Sequence, residues 1–251
     1  TTDETKKTGR VFTTGNSAAG TTLDIGAGTR FENRRLVADE RTNYRAQGGA
    51  LVSAHIMDEI RLASGENGDV VFSGNLAHGR EISYENSSGE TASENLAAAG
   101  GAVFASGLLE ISGAGTTRFE NNRAVSDAAA ASGGAVFITD AKLNADGSAS
   151  DTVYPDDVFV GEGVEKNFGL QVSETTLDFS GNAARGASAQ GGAIAVSGGW
   201  LEAKNARVNF SGNAAENLAE NASGEVSSAG GGALVVMDGG RAAFDAGTTL
   251  D

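Results

Sequence analysis

The chain has 251 residues, a formal net charge of -15, 37 Gly, one Pro and no Cys. With 33 Asp and Glu against 18 Lys and Arg it lacks the basic excess of a nucleic-acid reader, and without Cys it has neither a disulfide framework nor a thiolate zinc site. No run of eighteen apolar residues reads as a membrane-spanning helix, and the polar opening TTDETKKTGR lacks the apolar core of a signal peptide.

Two short elements alternate along the chain. The first Phe-x-x-Asn copy, FENR at Phe31, is degenerate, with Asn33 one place early; Gly48–Leu51 then gives the first Gly-Gly-Ala-aliphatic tetrapeptide. Phe72 to Asn75, Gly100-Gly101-Ala102-Val103, Phe119 to Asn122 and Gly133-Gly134-Ala135-Val136 follow in turn. After an interruption come Phe179 to Asn182, Gly191-Gly192-Ala193-Ile194, Phe210 to Asn213 and Gly231-Gly232-Ala233-Leu234. The closing GTTLD matches TTLD before Phe179, so the next expected residue is another Phe and the chain reads as cut within a repeat. On this reading residues 1–251 are a single repeat-built fragment with 139–170 as an inserted loop.

Between these elements lie runs such as ARVNFSGN and GGAIAVSGG, rich in β-branched and aromatic residues and bounded by Gly, Asn and Ser; they predict short strands. Ile194 and Val196 share one face of such a strand, and Val208 and Phe210 share another. No segment holds an amphipathic helical period. Val, Ile, Leu and Phe make up about a fifth of the chain, while Ala alone numbers 42. Stacked coils reconcile these counts, because a solenoid buries only a few large residues per coil and continues one narrow core.

The fold predicted is therefore all-β, a parallel β-helix. Successive Phe residues of the motif stand 41, 47, 60 and 31 residues apart, near twice a coil of about twenty residues. That spacing predicts two coils per motif pair, about ten coils in all, and a rod of about 50 Å at about 4.8 Å per coil. Phe is expected to point inward at the end of a strand, with Asn at the following corner and its side chain bonded along the stack. The glycine pair is expected to make a bend and a close backbone approach, Ala to fill a narrow spot and the aliphatic to begin the next buried strand.

From Phe31 to Asp251 these motifs resemble the polymorphic outer-membrane proteins of chlamydiae and related autotransporter passengers, whose mark is multiple Gly-Gly-Ala-(Ile/Leu/Val) and Phe-x-x-Asn repeats. The resemblance implies a right-handed helix exported to the cell surface through a C-terminal outer-membrane β-barrel and acting as a non-enzymatic adhesin. Its partners would be proteins or glycans of host or neighbouring cells. The absence of Cys points to a relative from another bacterium and suits a passenger that crosses a narrow pore unfolded, as it equally suits a cytosolic protein.

Few residues suggest chemistry. His55 and His78 are the two histidines and are far apart in sequence, and the calcium-binding Gly-Gly-x-Gly-x-Asp nonapeptide does not occur, so no cofactor or metal is expected. Asp156-Asp157 and His78-Gly79 superficially resemble motifs of polysaccharide hydrolases, but nearly eighty residues separate them. The insertion 139–170 contains the single Pro, and insertions in solenoids project from one face. Tyr154, Asp156, Asp157 and Phe159 are accordingly the candidate contact patch. The rivals to an adhesin are a carbohydrate-cleaving β-helix enzyme, which requires several carboxylates close together on adjacent coils, and a passive stalk. A second segment, 76–99, reads as polar, flexible, repeat-derived padding.

Overall fold

Short apolar runs, many of them ended by a residue in left-handed backbone, form strands of two to five residues that lie one above another in successive coils. The computed structural model describes residues 21–38, 46–53, 58–139, 141–143, 149–153, 169–218 and 229–251. Five parallel sheets wind in the same order in every coil. Sheet I contains Thr22–Ile25, Glu59–Ala63, Leu108–Ser112, Gly169–Ser173, Trp200–Lys204 and Arg241–Phe244. Sheet II contains Arg30–Glu32, Val70–Ser73, Thr116–Glu120, Thr176–Ser180, Arg207–Ser211 and Thr249–Leu250. Sheet III follows with Arg35–Ala38, Leu76–Gly79, Arg123–Ser126, Ala183–Gly186 and Ala214–Asn217. Sheet IV is narrow, with Ala46–Gln47, Ala98–Ala99, Ala130–Ser132, Ser188–Gln190 and Ala229–Gly230, and sheet V closes the coil with Leu51–Ser53, Val103–Ala105, Val136–Thr139, Ile194–Ser197 and Leu234–Met237.

This is a parallel β-helix, as the repeats predict, but the coil is twice as long as their spacing suggests. Sheets II to V are all visited between one Phe motif and the next Gly-Gly-Ala-aliphatic strand, so each motif pair makes one coil rather than two. The described strands form five coils and the start of a sixth, about 25 Å of stack at about 4.8 Å per coil.

The interior has two limbs. In the wide limb, sheets I, II and V enclose Ile60, Leu62, Leu109, Ile111, Leu170 and the aliphatics Leu51, Val103, Val136 and Ile194, all buried. Phe31, Phe72, Phe119, Phe179 and Phe210 stand in register on sheet II and stack with ring centroids 4.8, 4.8, 4.9 and 5.4 Å apart and interplanar angles of 13° or less. In the narrow limb sheets III and IV face each other across Ala77, Ala98, Ala124, Ala131, Ala184 and Ala189, with little else between them. The Ala content thus lines a thin limb, in which Leu36 of the first coil is the larger inward side chain from these strands. The first four strands of sheet V are buried on both faces; on their outer side Phe104 and Phe137 stack at 5.6 Å.

Each motif marks a corner. Asn75, Asn122, Asn182 and Asn213 stand one above another between sheets II and III. Each of the first three donates from Nδ2 to Oδ1 of the next, at 2.8, 3.0 and 2.9 Å. The second Nδ2 hydrogen goes back to the preceding coil's Phe carbonyl, at 2.8–3.0 Å for all four. The left-handed residue at this corner is not the ladder Asn but the one before it, occupied by Asn33, Gly74, Asn121, Gly181 and Gly212 with φ of 52° to 65°. FENR is therefore less degenerate than its spelling: Asn33 fills the left-handed place, and the Arg34 backbone amide caps the ladder by donating to Asn75 Oδ1 at 3.0 Å.

The first glycine of each Gly-Gly-Ala tetrapeptide is left-handed, as at Gly133 with φ 62°. The second lies against the opposite corner: a Cβ on Gly101, Gly134 or Gly192 would strike the backbone of Arg123, Ala183 or Ala214, the residue that follows the ladder Asn in the next coil. The two motifs alternate in sequence because they touch in space.

Candidate functional site

Outside the Asn ladder, sheet III turns its alternate residues to solvent. One outward column runs Arg35, Leu76, Arg123, Ala183, Ala214 and the next runs Val37, His78, Val125, Arg185, Glu216. The corner residues Asn33, Gly74, Asn121, Gly181 and Gly212 form the adjoining edge. Together they line an open groove of about 800 Å³ running along the helix axis.

The groove is assembled from a repeated triplet. Asn33 and Arg35 in the first coil, and Asn121 and Arg123 in the third, each sit two residues apart, the first at the left-handed corner and the second on sheet III. The Oδ1 atoms of Asn33 and Asn121 occupy the space that a Cβ on Gly74 and Gly181 would take, so glycine in the next coil keeps room for each amide. None of Arg35, Arg123, Arg185 or the side-chain amides of Asn33 and Asn121 has a hydrogen bond or ion pair within the described structure. His78 Nε2 pairs with Asp127 Oδ1 at 2.7 Å. In a chain of net charge -15, this is a face with three unsatisfied guanidinium groups.

Carboxylates gather elsewhere. On the outward column of sheet II, Arg118 Nε donates to Asp69 Oδ2 at 2.8 Å and its terminal nitrogen to Asp178 Oδ2 at 2.9 Å, across three coils. The Arg118 hydrogen bond, with help from the Thr116 amide, holds the Asp69 carboxyl below the usual carboxylate range. An acid so held is a poor proton donor near neutral pH. Among the described residues no group of three or more His, Cys, Asp or Glu converges as a metal site would require.

Of the residues singled out from sequence, the ladder Asn and stacked Phe lie in the interior and the glycines at backbone contacts. Tyr154, Asp156, Asp157 and Phe159, like His55, lie outside the described residues. The insertion itself leaves sheet V after Thr139 and rejoins sheet I at Gly169; its described part includes an antiparallel pair, Ala141–Leu143 with Ala149–Val153. The segment expected to be flexible padding contains a second antiparallel pair, Glu81–Glu85 with Thr91–Asn95, closed by an Asn86 side chain that accepts from the Ser88 and Glu90 amides. Ile82 tucks against Leu96 and Ala98, which gives this hairpin a fixed base.

Sequence reasoning missed the groove. Its signal was the triplet Asn-x-Arg two residues after Phe, at Asn33 and Asn121, which motif counting treats as variation within Phe-x-x-Asn. Comparison with protein-family models, with curated proteins and with solved structures returns no match.

Proposed function

We propose that this chain is the displayed part of a non-catalytic surface adhesin, similar to the autotransporter passengers whose repeats it shares. It would attach to host or neighbouring cells through its outward faces and inserted segments. The observation that carries this reading is the separation of scaffold from excess length. Successive ladder Asn residues are 47, 60 and 31 positions apart, yet their side chains remain in register. Two hairpins that leave the coils take up part of the difference. A scaffold indifferent to the length of what it carries is suited to presenting variable contact segments. A carbohydrate-cleaving enzyme is less favoured, because Asp69 and Asp178, two coils apart, are both bound to the Arg118 between them and one of them is held ionised.

The test is attachment. Beads coated with the 251-residue protein should be retained on mammalian or bacterial cell layers well above beads coated with albumin; equal retention on every layer would overturn the reading. A variant lacking 139–170 separates display from spacing, since a passive stalk predicts that any binding survives its removal unchanged.

A further inference from the structure

The groove on sheet III carries more than a scaffold needs. Its arginines are not held by any partner among the described residues, and its amides are held open by glycine in the coil beyond. Unpaired guanidinium groups recognise carboxylate and sulfate in a fork geometry, and side-chain amides exchange hydrogen bonds with hydroxyls.

The arrangement is also periodic along the axis. Asn33 with Arg35 and Asn121 with Arg123 are separated by two coils, as the register Arg35–Leu76–Arg123 shows, or roughly 10 Å. Arg185 stands one coil further and one column across, opposite Val125. Polar and cationic contacts recurring at that interval fit a polymer whose acid group recurs with each disaccharide. The surface around the groove disfavours broad anions: the chain as a whole is strongly acidic, Asp69 and Asp178 lie on the outward column of sheet II, Asp24 and Glu110 on sheet I beyond it, and Glu216 closes one end of the groove itself, next to Arg185 in its column. A narrow strand can lie between those charges, whereas a duplex or a bilayer would meet them.

We propose that this groove binds a single linear acidic polysaccharide along the helix axis. Asn33 and Asn121 would take hydroxyls and Arg35, Arg123 and Arg185 the acid groups. This deepens the adhesion reading and rests on it only for where the polysaccharide is displayed.

The experiment uses immobilised protein and soluble probes. Polygalacturonate represents the carboxylated source and heparin the sulfated one; dextran, duplex DNA and phosphatidylserine vesicles are the comparisons. At least one acidic polysaccharide is expected to bind, with affinity that falls as salt rises, while dextran does not. The triple variant Arg35→Gln, Arg123→Gln, Arg185→Gln should weaken that binding at least tenfold. The pair Asn33→Gly, Asn121→Gly should weaken it several-fold with the fold intact, because Gly already serves the same corner at 74, 181 and 212. Arg30→Gln with Arg207→Gln, on sheet II, should leave it within twofold. Binding of DNA or vesicles as strong as that of the polysaccharides, or unchanged affinity in the triple variant, overturns the proposal. If the protein attaches to cells and the triple variant attaches equally, the groove is refuted and the adhesion reading stands. If polysaccharide binds and no cell layer does, the reverse holds.

Discussion

Asn122 shows how much one side chain holds. Its Oδ1 accepts from the backbone and side-chain nitrogens of Asn75, and its Nδ2 donates to Phe72 O and Asn182 Oδ1, all at 2.8–3.0 Å in a fully buried site. Asn122→Leu would strand these partners, and each buried unsatisfied group costs about 1–3 kcal/mol. We expect a loss of at least about 3 kcal/mol on chemical denaturation. Thr117 is the opposite case. Its hydroxyl is buried in register with Val70 and Leu177 and has no hydrogen-bond partner, so Thr117→Val should raise stability by about 1 kcal/mol, read as an increase in Tm. At Asp69 the sign follows from the lowered carboxyl. The folded state binds its proton more weakly than the unfolded chain does, so the stabilisation is full above about pH 4 and fades as pH falls through the folded value. Asp69→Asn should therefore lose under about 1 kcal/mol at neutral pH, and the gap to the parent should close in acid. These roles were partly legible: Phe-x-x-Asn predicted an inward Phe and a bonded Asn. The left-handed place was not, since Gly and Asn alternate there and neither spelling repeats.

Among elements, the corners impose the strictest geometry. Gly134 has no room for a Cβ, which would collide with the Ala183 backbone and with the carbonyl of Gly192 in the next coil, and neither can swing aside as a side chain would. Gly134→Ala should leave little folded protein, measured as lost cooperative melting and lost β signal in circular dichroism, while Asn121→Gly at a left-handed corner should change stability by no more than about 1 kcal/mol. The strands themselves were readable from β-branched runs and turn residues. Coil length was not, because sheet IV consists of two- and three-residue strands such as Ala98–Ala99 whose small side chains give no period-2 signal. Apart from Leu36 in the first coil, the strands of sheets III and IV pack through Ala, so a hydrophobic pattern search sees linker where the structure has two faces of a coil.

At the scale of the molecule, contacts run from each coil to its neighbours, and the acidic surface follows from placing nearly all large apolar groups inside. The repeat made the solenoid legible while the groove stayed hidden, because it is a product of register: Arg35 and Arg123 are 88 residues apart and meet one face only once each coil's length is known.

The axial Asn ladder and Phe stacks carry a mechanical consequence. Strands lie across the axis, so tension applied along it loads one coil at a time, in peeling rather than shear. Each detached coil would release the chain between ladder residues, 47, 60 or 31 positions. Force spectroscopy on the protein held at its two ends should then show steps near 16, 21 and 11 nm, taking about 3.5 Å per residue. A single rupture releasing the whole length at once would show that the coils fail together. Stepwise yielding would let a tethered molecule lengthen under load while the coils still folded keep their grip.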